Sequence, residues 1–120
     1  MVRAIRGAIC VKKNDAELIK ESVHILIKEI VKINSIEAEN VISVQFSVSK
    51  DLDADYPGLY VRSISEEWEY VPCICSVEMD VPGALKRCIR VLMLVNLERN
   101  IKDIKHAYLG ETSSYNPFNK

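Results

Sequence analysis

The feature that most constrains the fold is one long amphipathic helix in a chain whose other patterned segments resemble strands. Within residues 14–34, apolar side chains recur at three- and four-residue spacing, and most charged side chains lie off this stripe. The stripe contains Ile19, Val23, Leu26, Ile30 and Ile33. Asn14 is the expected N-cap, and Glu17 completes a capping-box pattern. One such helix can cover only one face of a small sheet.

Strands are predicted where apolar and polar residues alternate or where a short apolar run occurs. The candidates are residues 2–11, 41–49, 68–77, 89–95 and 104–109. In the second of these, we expect Ile42, Val44, Phe46 and Val48 to share one face. Pro72 indicates an edge, a bulge or the beginning of the third strand. Short helical turns are expected at residues 60–64 and 84–88.

This order of elements predicts an α+β fold, a mixed β-sheet with one long helix packed on it. A chain of 120 residues fits a single domain, which we place at residues 1–110, followed by a polar and mobile tail at 111–120. The apolar run around residues 91–95 needs cover on both sheet faces, and the helix supplies only one. We therefore expect a homo-oligomer.

Composition excludes several functional classes. The net charge of -1 argues against a nucleic-acid binder. We find no apolar stretch of membrane-spanning length and no signal peptide, so we expect a cytoplasmic protein with reduced thiols. The cysteines are Cys10, Cys73, Cys75 and Cys88. No second Cys or His pair follows Cys73 and Cys75 at zinc-site spacing, so we expect no metal and interpret both as strand residues.

Arg90 is the unusual residue, because it is a lone charge within an apolar strand. A buried arginine needs a partner or a cleft. Glu78, at the end of another apolar strand, is a suitable partner. The pair is either a salt bridge between two strands or a pocket in which Arg90 binds an anion and Glu78 accepts from a hydroxyl. The residues alone leave both interpretations open.

The segment around this pair resembles the signature of AroH-type chorismate mutases. Residues 70–91 contain Tyr-Val-Pro, Glu-Met-Asp-Val, Leu-Lys and Cys-Ile-Arg-Val in the family's order. Residues 3–8 are similar to its opening strand, 51–62 to its middle loop and 106–109 to its final His-x-Tyr-Leu pattern. The resemblance implies a homotrimeric pseudo-barrel with active sites between subunits. It also implies a cofactor-free isomerase that rearranges chorismate to prephenate in phenylalanine and tyrosine biosynthesis.

The resemblance also implies roles for individual residues. Arg90 would donate to the ether oxygen and to a carboxylate of the substrate, with Arg6 near the same groups. Tyr108 would donate to a carboxylate, Glu78 would accept from the ring hydroxyl, and Cys75 would lie beside that hydroxyl. The further substrate-binding positions are Tyr56, Arg62, Cys73 and Ile74.

Some positions depart from the family's pattern. Leu59 stands where the family usually has a lysine, and Asn116-Pro117 where it often has Arg-Pro. One extra residue lies between Arg62 and Trp68. The two lost cations predict weaker substrate capture, which would raise KM more than it lowers kcat. The alternative functions are a Rid-type imine deaminase, also a trimer with an interface arginine, and a catalytically weak trimer that binds a carboxylate.

Overall fold

The computed structural model describes residues 1–114, which form a five-stranded mixed sheet with one long α-helix against it. The elements are β1 (Val2–Cys10), α1 (Ala16–Asn34), β2 (Val41–Val48), β3 (Cys73–Val77), β4 (Cys88–Asn96) and β5 (Ala107–Tyr108). The strand order is β3-β2-β4-β1-β5. The central pairs β2–β4 and β4–β1 are antiparallel, whereas the outer pairs β2–β3 and β1–β5 are parallel. The predicted α+β class is confirmed.

The apolar stripe of α1 packs on one face of this sheet, which we call the helix face. Leu26 and Ile30 are fully buried there. Gly7 of β1 lies directly beneath them, and a Cβ atom at this position would be about 3.0 Å from Ile30 Cδ1 and from the Ala107 carbonyl oxygen. The close approach of helix and sheet therefore requires glycine at position 7. The opposite side of the sheet is called the open face below.

The beginning of α1 differs from the prediction by one residue. Asp15, not Asn14, is the N-cap, and its carboxylate accepts the Leu18 N–H at 3.1 Å. The Asn14 side chain instead accepts the N–H groups of Asp53 and Ala54. Asn14 therefore anchors the loop after β2, and the predicted capping box with Glu17 is wrong. The end of the helix at Asn34 is as predicted.

Two strand predictions were wrong in part, each for a local reason. The third strand begins at Cys73, not at Trp68, because Trp68 lies in a short 3₁₀ helix (Glu66–Trp68) and is buried in the core. Pro72 immediately precedes the strand, which is an edge strand as its proline indicated. In β2, a register shift between Val41 and Ser43 turns Ile42 outward, so Ile42 does not share the buried face of its neighbours.

The predicted short helices also differ from the observed elements. The turn expected at residues 60–64 is a 3₁₀ helix displaced to Pro57–Tyr60. Residues 84–88 form no helix, because Arg87 has a left-handed φ of 47° and its N–H donates to the Asp51 carboxylate. The last strand is confined to Ala107–Tyr108.

The segment expected to be a tail begins with a further 3₁₀ helix, Gly110–Ser114. Thr112 is buried, and its hydroxyl donates to the Ala8 carbonyl of β1 at 3.0 Å. This contact attaches the beginning of the segment to β1. The remaining tail positions, including Asn116, lie outside the described residues.

Candidate active site

Arg90 lies on the open face at the centre of the sheet. It is paired with Ala8 on one side and with Ser47 on the other, between buried neighbours in the β4 sequence. Its side chain is 22% exposed, and its Nε lies 3.5 Å from Glu78 Oε2. The interaction suggested by the sequence therefore exists. Arg90 lies on the side of the sheet away from α1. Its side chain is therefore not covered by the helix, and its guanidinium is partly shielded from water but can still contact a ligand.

Glu78 reaches Arg90 from the end of the neighbouring edge strand. Its main-chain N–H donates to the Val48 carbonyl at 2.8 Å, which extends the β2–β3 pairing by one residue. The carboxylate also accepts the Met79 N–H at 2.9 Å. One carboxylate thus has its orientation fixed by the backbone and keeps lone pairs for a further donor.

Arg6 and Tyr108 form a second polar pair on the same face. Arg6 Nη1 donates to the Tyr108 hydroxyl at 3.1 Å, and Arg6 Cζ lies 6.0 Å from the centre of the ring. Tyr108 is paired with Ala8, which is in turn paired with Arg90. The sheet therefore places Arg6, Tyr108, Arg90 and Glu78 on one face, although they come from separate parts of the sequence. We call these four residues the arginine cluster.

A pocket of about 360 Å³ opens next to this cluster, within the usual size range for small-molecule sites. Arg90 and Glu78 line it together with Cys88 and the loop that joins β3 to β4. Arg6 and Tyr108 do not line this pocket. Cys88 was not among the predicted site residues, although its place two residues before Arg90 on a strand indicates the same face.

The remaining predicted site residues form a separate group at the edge of the sheet. A pocket of about 290 Å³ is lined by Tyr56, Gly58, Leu59, Arg62, Cys73, Ile74 and Cys75. We call these residues the loop cluster, because most lie on the loop after β2 and on the strand β3 behind it. His24 of α1 holds this loop, since its Nε2 lies 2.9 Å from the Tyr60 carbonyl and 3.0 Å from the Ser63 hydroxyl.

Gly58 is a further member of the loop cluster that was not among the predicted site residues. Its N–H donates to Cys75 Sγ at 3.4 Å, and a Cβ atom at position 58 would be 3.1 Å from both Cys75 Sγ and Cys73 Cβ. Glycine therefore lets the loop lie directly on β3. The Pro57-Gly58 turn signal marked the loop, but nothing in it indicated which strand the loop would contact.

The thiols in and near the site are poor nucleophiles. Burial raises the pKa of Cys73 to about 11 and that of Cys88 to about 12. Burial also raises the pKa of Cys75, although the Gly58 N–H opposes this by stabilising the thiolate. The described cysteines are free thiols, protonated at neutral pH. This agrees with a hydrogen-bonding role for Cys75 and argues against covalent catalysis.

The two clusters differ in the face of the sheet from which they project. Cys75 is paired with Phe46, which is buried on the helix face, whereas the next residue, Ser76, is paired with Ser47, the neighbour of Arg90. Cys73 and Cys75 therefore share the helix face, and the arginine cluster lies on the open face. Ile74 projects to the open face at the exposed edge. All these residues were predicted to belong to one site, and this division between the faces was not predicted.

Of the two positions at which a cation of the family is missing, Leu59 and Asn116, only Leu59 lies within the described residues. Leu59 is 51% exposed at the rim of the loop cluster, where it presents an apolar side chain beside Arg62. Within residues 1–114, no group of three or more His, Cys, Asp or Glu side chains is placed to hold a metal ion. In the same part of the chain, no helix is long and apolar enough to cross a membrane.

Comparison with known proteins gives one consistent result. The family model for chorismate mutase type I matches residues 2–117. The chain is 38% identical to chorismate mutase AroH of Bacillus subtilis over 117 residues, 98% of this chain and 91% of that protein. It is 36% identical to chorismate mutase AroH of Thermus thermophilus over 118 residues, 98% of this chain and 95% of that protein.

A solved structure supports the same relationship at the level of the fold. The chorismate mutase from Clostridium thermocellum superimposes with a TM-score of 0.88 at 42% identity, covering 93% of this chain and 98% of that one. These findings confirm the resemblance that the motifs indicated and give no support to an imine deaminase or a catalytically weak carboxylate-binding trimer. The chain belongs to the type I chorismate mutase family.

Proposed function

We propose that this protein is an isomerase that converts chorismate to prephenate in the biosynthesis of phenylalanine and tyrosine, without a cofactor. The observation that carries the proposal is Arg90, a partly buried guanidinium held by Glu78 beside a pocket in an apolar sheet. Membership in the type I family supports the substrate and the reaction. Four free cysteines fit the reducing cytoplasm in which we expect the enzyme to act.

The reaction requires little covalent chemistry from the protein. In chorismate, the ether C–O bond breaks while a C–C bond forms within the same molecule, so atoms and electrons balance without a proton donor, nucleophile or redox partner. The protein can hold the compact conformer and place positive charge where negative charge develops. Protonated thiols and preorganised arginines suit this reaction better than they suit acyl transfer or hydrolysis.

Arg90 is the group that we assign to the ether oxygen. Glu78 lies beside its Nε, which directs the guanidinium and leaves the two terminal nitrogens for a ligand. These nitrogens form a planar fork that can donate to the ether oxygen and a carboxylate together. Partial burial strengthens this interaction, and one preorganised donor of this kind lowers a barrier by about 3–4 kcal/mol.

The other assigned residues bind and orient the dianion. Arg6 and Tyr108 donate to a carboxylate, and their mutual hydrogen bond keeps both directed to the open face. Glu78 accepts from the ring hydroxyl with the lone pairs that Arg90 and Met79 leave available. Cys75 acts as a weak partner of that hydroxyl, beside Cys73 and Ile74 in the pocket wall.

We propose that each active site combines the arginine cluster of one subunit with the loop cluster of the next, in a homotrimer. Cys73 and Cys75 of the loop cluster project from the face opposite to the arginine cluster, which favours contributions from two copies to one small substrate. Exposed apolar side chains along the edge strand, such as Ile74 and Val77, favour burial against another copy. Tyr56 and Arg62 would then approach the substrate from the neighbouring subunit.

The direct test is a continuous absorbance assay of the purified protein with chorismate. We expect chorismate to disappear and prephenate to form, identified by its conversion to phenylpyruvate in acid. Absence of turnover would contradict the proposed activity.

Subunit mixing tests the shared site. Arg90→Ala removes one half of the site, and the exposed pair Tyr56→Asp with Arg62→Glu repels the dianion from the other half. Each variant alone should be nearly inactive at low chorismate concentration. When the two variants are refolded together in equal amounts, each of the two halves of a site is intact with a chance of about one half. About a quarter of the sites should then have both intact halves, so about a quarter of wild-type activity should return. Activity that stays at the level of the separate variants would contradict a shared site.

A further inference from the structure

His106 is a residue to which the proposed reaction assigns no role. Its Nδ1 accepts the main-chain N–H of Arg6 at 2.9 Å. Along β1, odd-numbered residues direct their main-chain groups to β4, as the bond from Val11 N–H to the Arg87 carbonyl indicates. Even-numbered residues, including Arg6, therefore direct theirs to β5. An imidazole thus occupies a position that a sheet normally fills with a carbonyl.

The reason lies in the residue before His106. The Leu109 N–H donates to the Ala8 carbonyl, and continuing this parallel register would pair the Arg6 N–H with the Lys105 carbonyl. That carbonyl instead accepts from Asn34 at the end of α1 at 2.8 Å, and the Lys105 N–H donates to Asn34 at 2.9 Å. The helix therefore draws Lys105 out of the ladder, and His106 supplies the missing acceptor.

We propose that His106 is a positioning residue, which holds the Arg6 main chain against β5 and so aligns the Arg6–Tyr108 pair toward the substrate. Arg6 is bonded at both ends, since its N–H meets His106 and its guanidinium meets Tyr108, two residues further along the same segment. β5 has only two paired residues, so this bond is a substantial part of its attachment to β1. This role rests on the proposed function of Arg6 and Tyr108.

The bond requires one protonation state. An N–H can only donate, so Nδ1 must be unprotonated and the proton of the neutral ring is on Nε2. Burial, reinforced by the nearby Arg6 guanidinium, lowers the His106 pKa from its ordinary value of 6.5. Arg6, on the neighbouring strand β1, is the charged group that acts on the ring. The bond is present above this pKa and is lost as pH falls through it.

The test compares His106→Asn, whose Oδ1 still accepts and does not titrate, with His106→Leu, which cannot accept. At neutral pH, His106→Leu should raise KM for chorismate about tenfold, as expected for one lost hydrogen bond, with a smaller change in kcat. His106→Asn should stay near the wild-type KM. On acidification, KM should rise in the wild type through the His106 pKa and rise less in His106→Asn.

Equal KM values in His106→Leu and His106→Asn, or identical pH profiles in the wild type and His106→Asn, would overturn the role. Long-range ¹H–¹⁵N NMR gives an answer that does not depend on turnover. The chain has two histidines, so His106→Asn assigns the signals. We expect the neutral Nε2–H tautomer at neutral pH, and a protonated Nδ1 would overturn the proposal. A wild-type protein without turnover but with this tautomer would contradict the proposed function and leave the His106 bond established.

Discussion

The two faces of the sheet use the same strands for different purposes. On the helix face of β4, alternate residues such as Ile89, Val91 and Met93 are buried and apolar. On the open face, the alternate residues between them are Arg90, Leu92 and Leu94, all partly exposed. Neighbouring positions in the sequence therefore contribute either to stability or to the site. This comparison predicts that substitutions on the two faces change different measurable properties.

The largest expected effect is on the open face. Arg90→Ala should lower kcat/KM about a thousandfold or more, about 4 kcal/mol, because it removes charge that acts mainly in the transition state. Arg90→Lys should fail to restore this rate, since a point charge cannot make the two-pronged contact. Steady-state kinetics with chorismate measures both changes, and the urea midpoint should move little.

The matched control is Arg3→Lys, on the same sheet but outside the arginine cluster. The Arg3 side chain lies near the beginning of β1, where its Nε donates to the Arg99 carbonyl. This variant should keep wild-type kinetics. An Arg90→Lys enzyme with nearly wild-type kcat, or an Arg90→Ala enzyme that loses activity only because it unfolds, would contradict the division between the faces.

The second effect is on the helix face. Leu26→Ala removes a fully buried side chain above Gly7 and should lower the free energy of unfolding by about 3 kcal/mol through lost burial and a cavity. The kcat of the folded enzyme should change little. Urea unfolding at fixed protein concentration measures the loss, since association contributes to the stability of an oligomer.

Ile25→Ala on the same helix is the control for Leu26. Ile25 is 55% exposed, so its truncation should change the free energy of unfolding by less than about 0.5 kcal/mol. If both substitutions cost the same, the outer surface of α1 is buried against another copy. That result would place the subunit contact on α1 instead of the open face and the β3 edge.

The sequence was most informative where a pattern repeats over many residues. The stripe of α1, the alternation of β1 and β2 and the apolar run of β4 predicted those elements within two residues, because helices and strands each impose a regular side-chain pattern. Arg90 could also be identified from the local pattern, because a single charged residue within an apolar strand is unusual. The site roles came instead from the family resemblance, which no local pattern supplies.

The errors arose where a single tertiary contact decides the local structure. Trp68 looked like a strand residue but fills the core from a 3₁₀ helix. Asn14 has a suitable cap side chain that the loop after β2 uses instead. The hydrogen bond between His106 and Arg6 could not be predicted, because it forms only where Asn34 binds the Lys105 carbonyl and keeps it out of the sheet. Such competition between partners distant in sequence has no signature in a linear pattern.

The smallest expected effect tests whether a charge in the loop cluster changes substrate binding without changing the rate of the chemical step. Leu59 is an exposed apolar residue in the loop cluster, beside Arg62. Leu59→Lys adds a cation near the path of a dianion without touching the arginine cluster. The new lysine side chain is flexible and hydrated, so it should stabilise the bound substrate and the transition state about equally. We therefore expect KM to fall about threefold, at most about 1 kcal/mol, with kcat unchanged.

The neutral variant Leu59→Gln is the control for Leu59→Lys, because it adds length and polarity without charge. The KM difference between the two should shrink as salt is added, since exposed charges are screened over about 10 Å at 0.1 M ionic strength. An unchanged KM in Leu59→Lys would mean that position 59 does not face the substrate path. A rise in kcat without a change in KM would mean that the loop cluster shares the charge-stabilising role that we assign to Arg90.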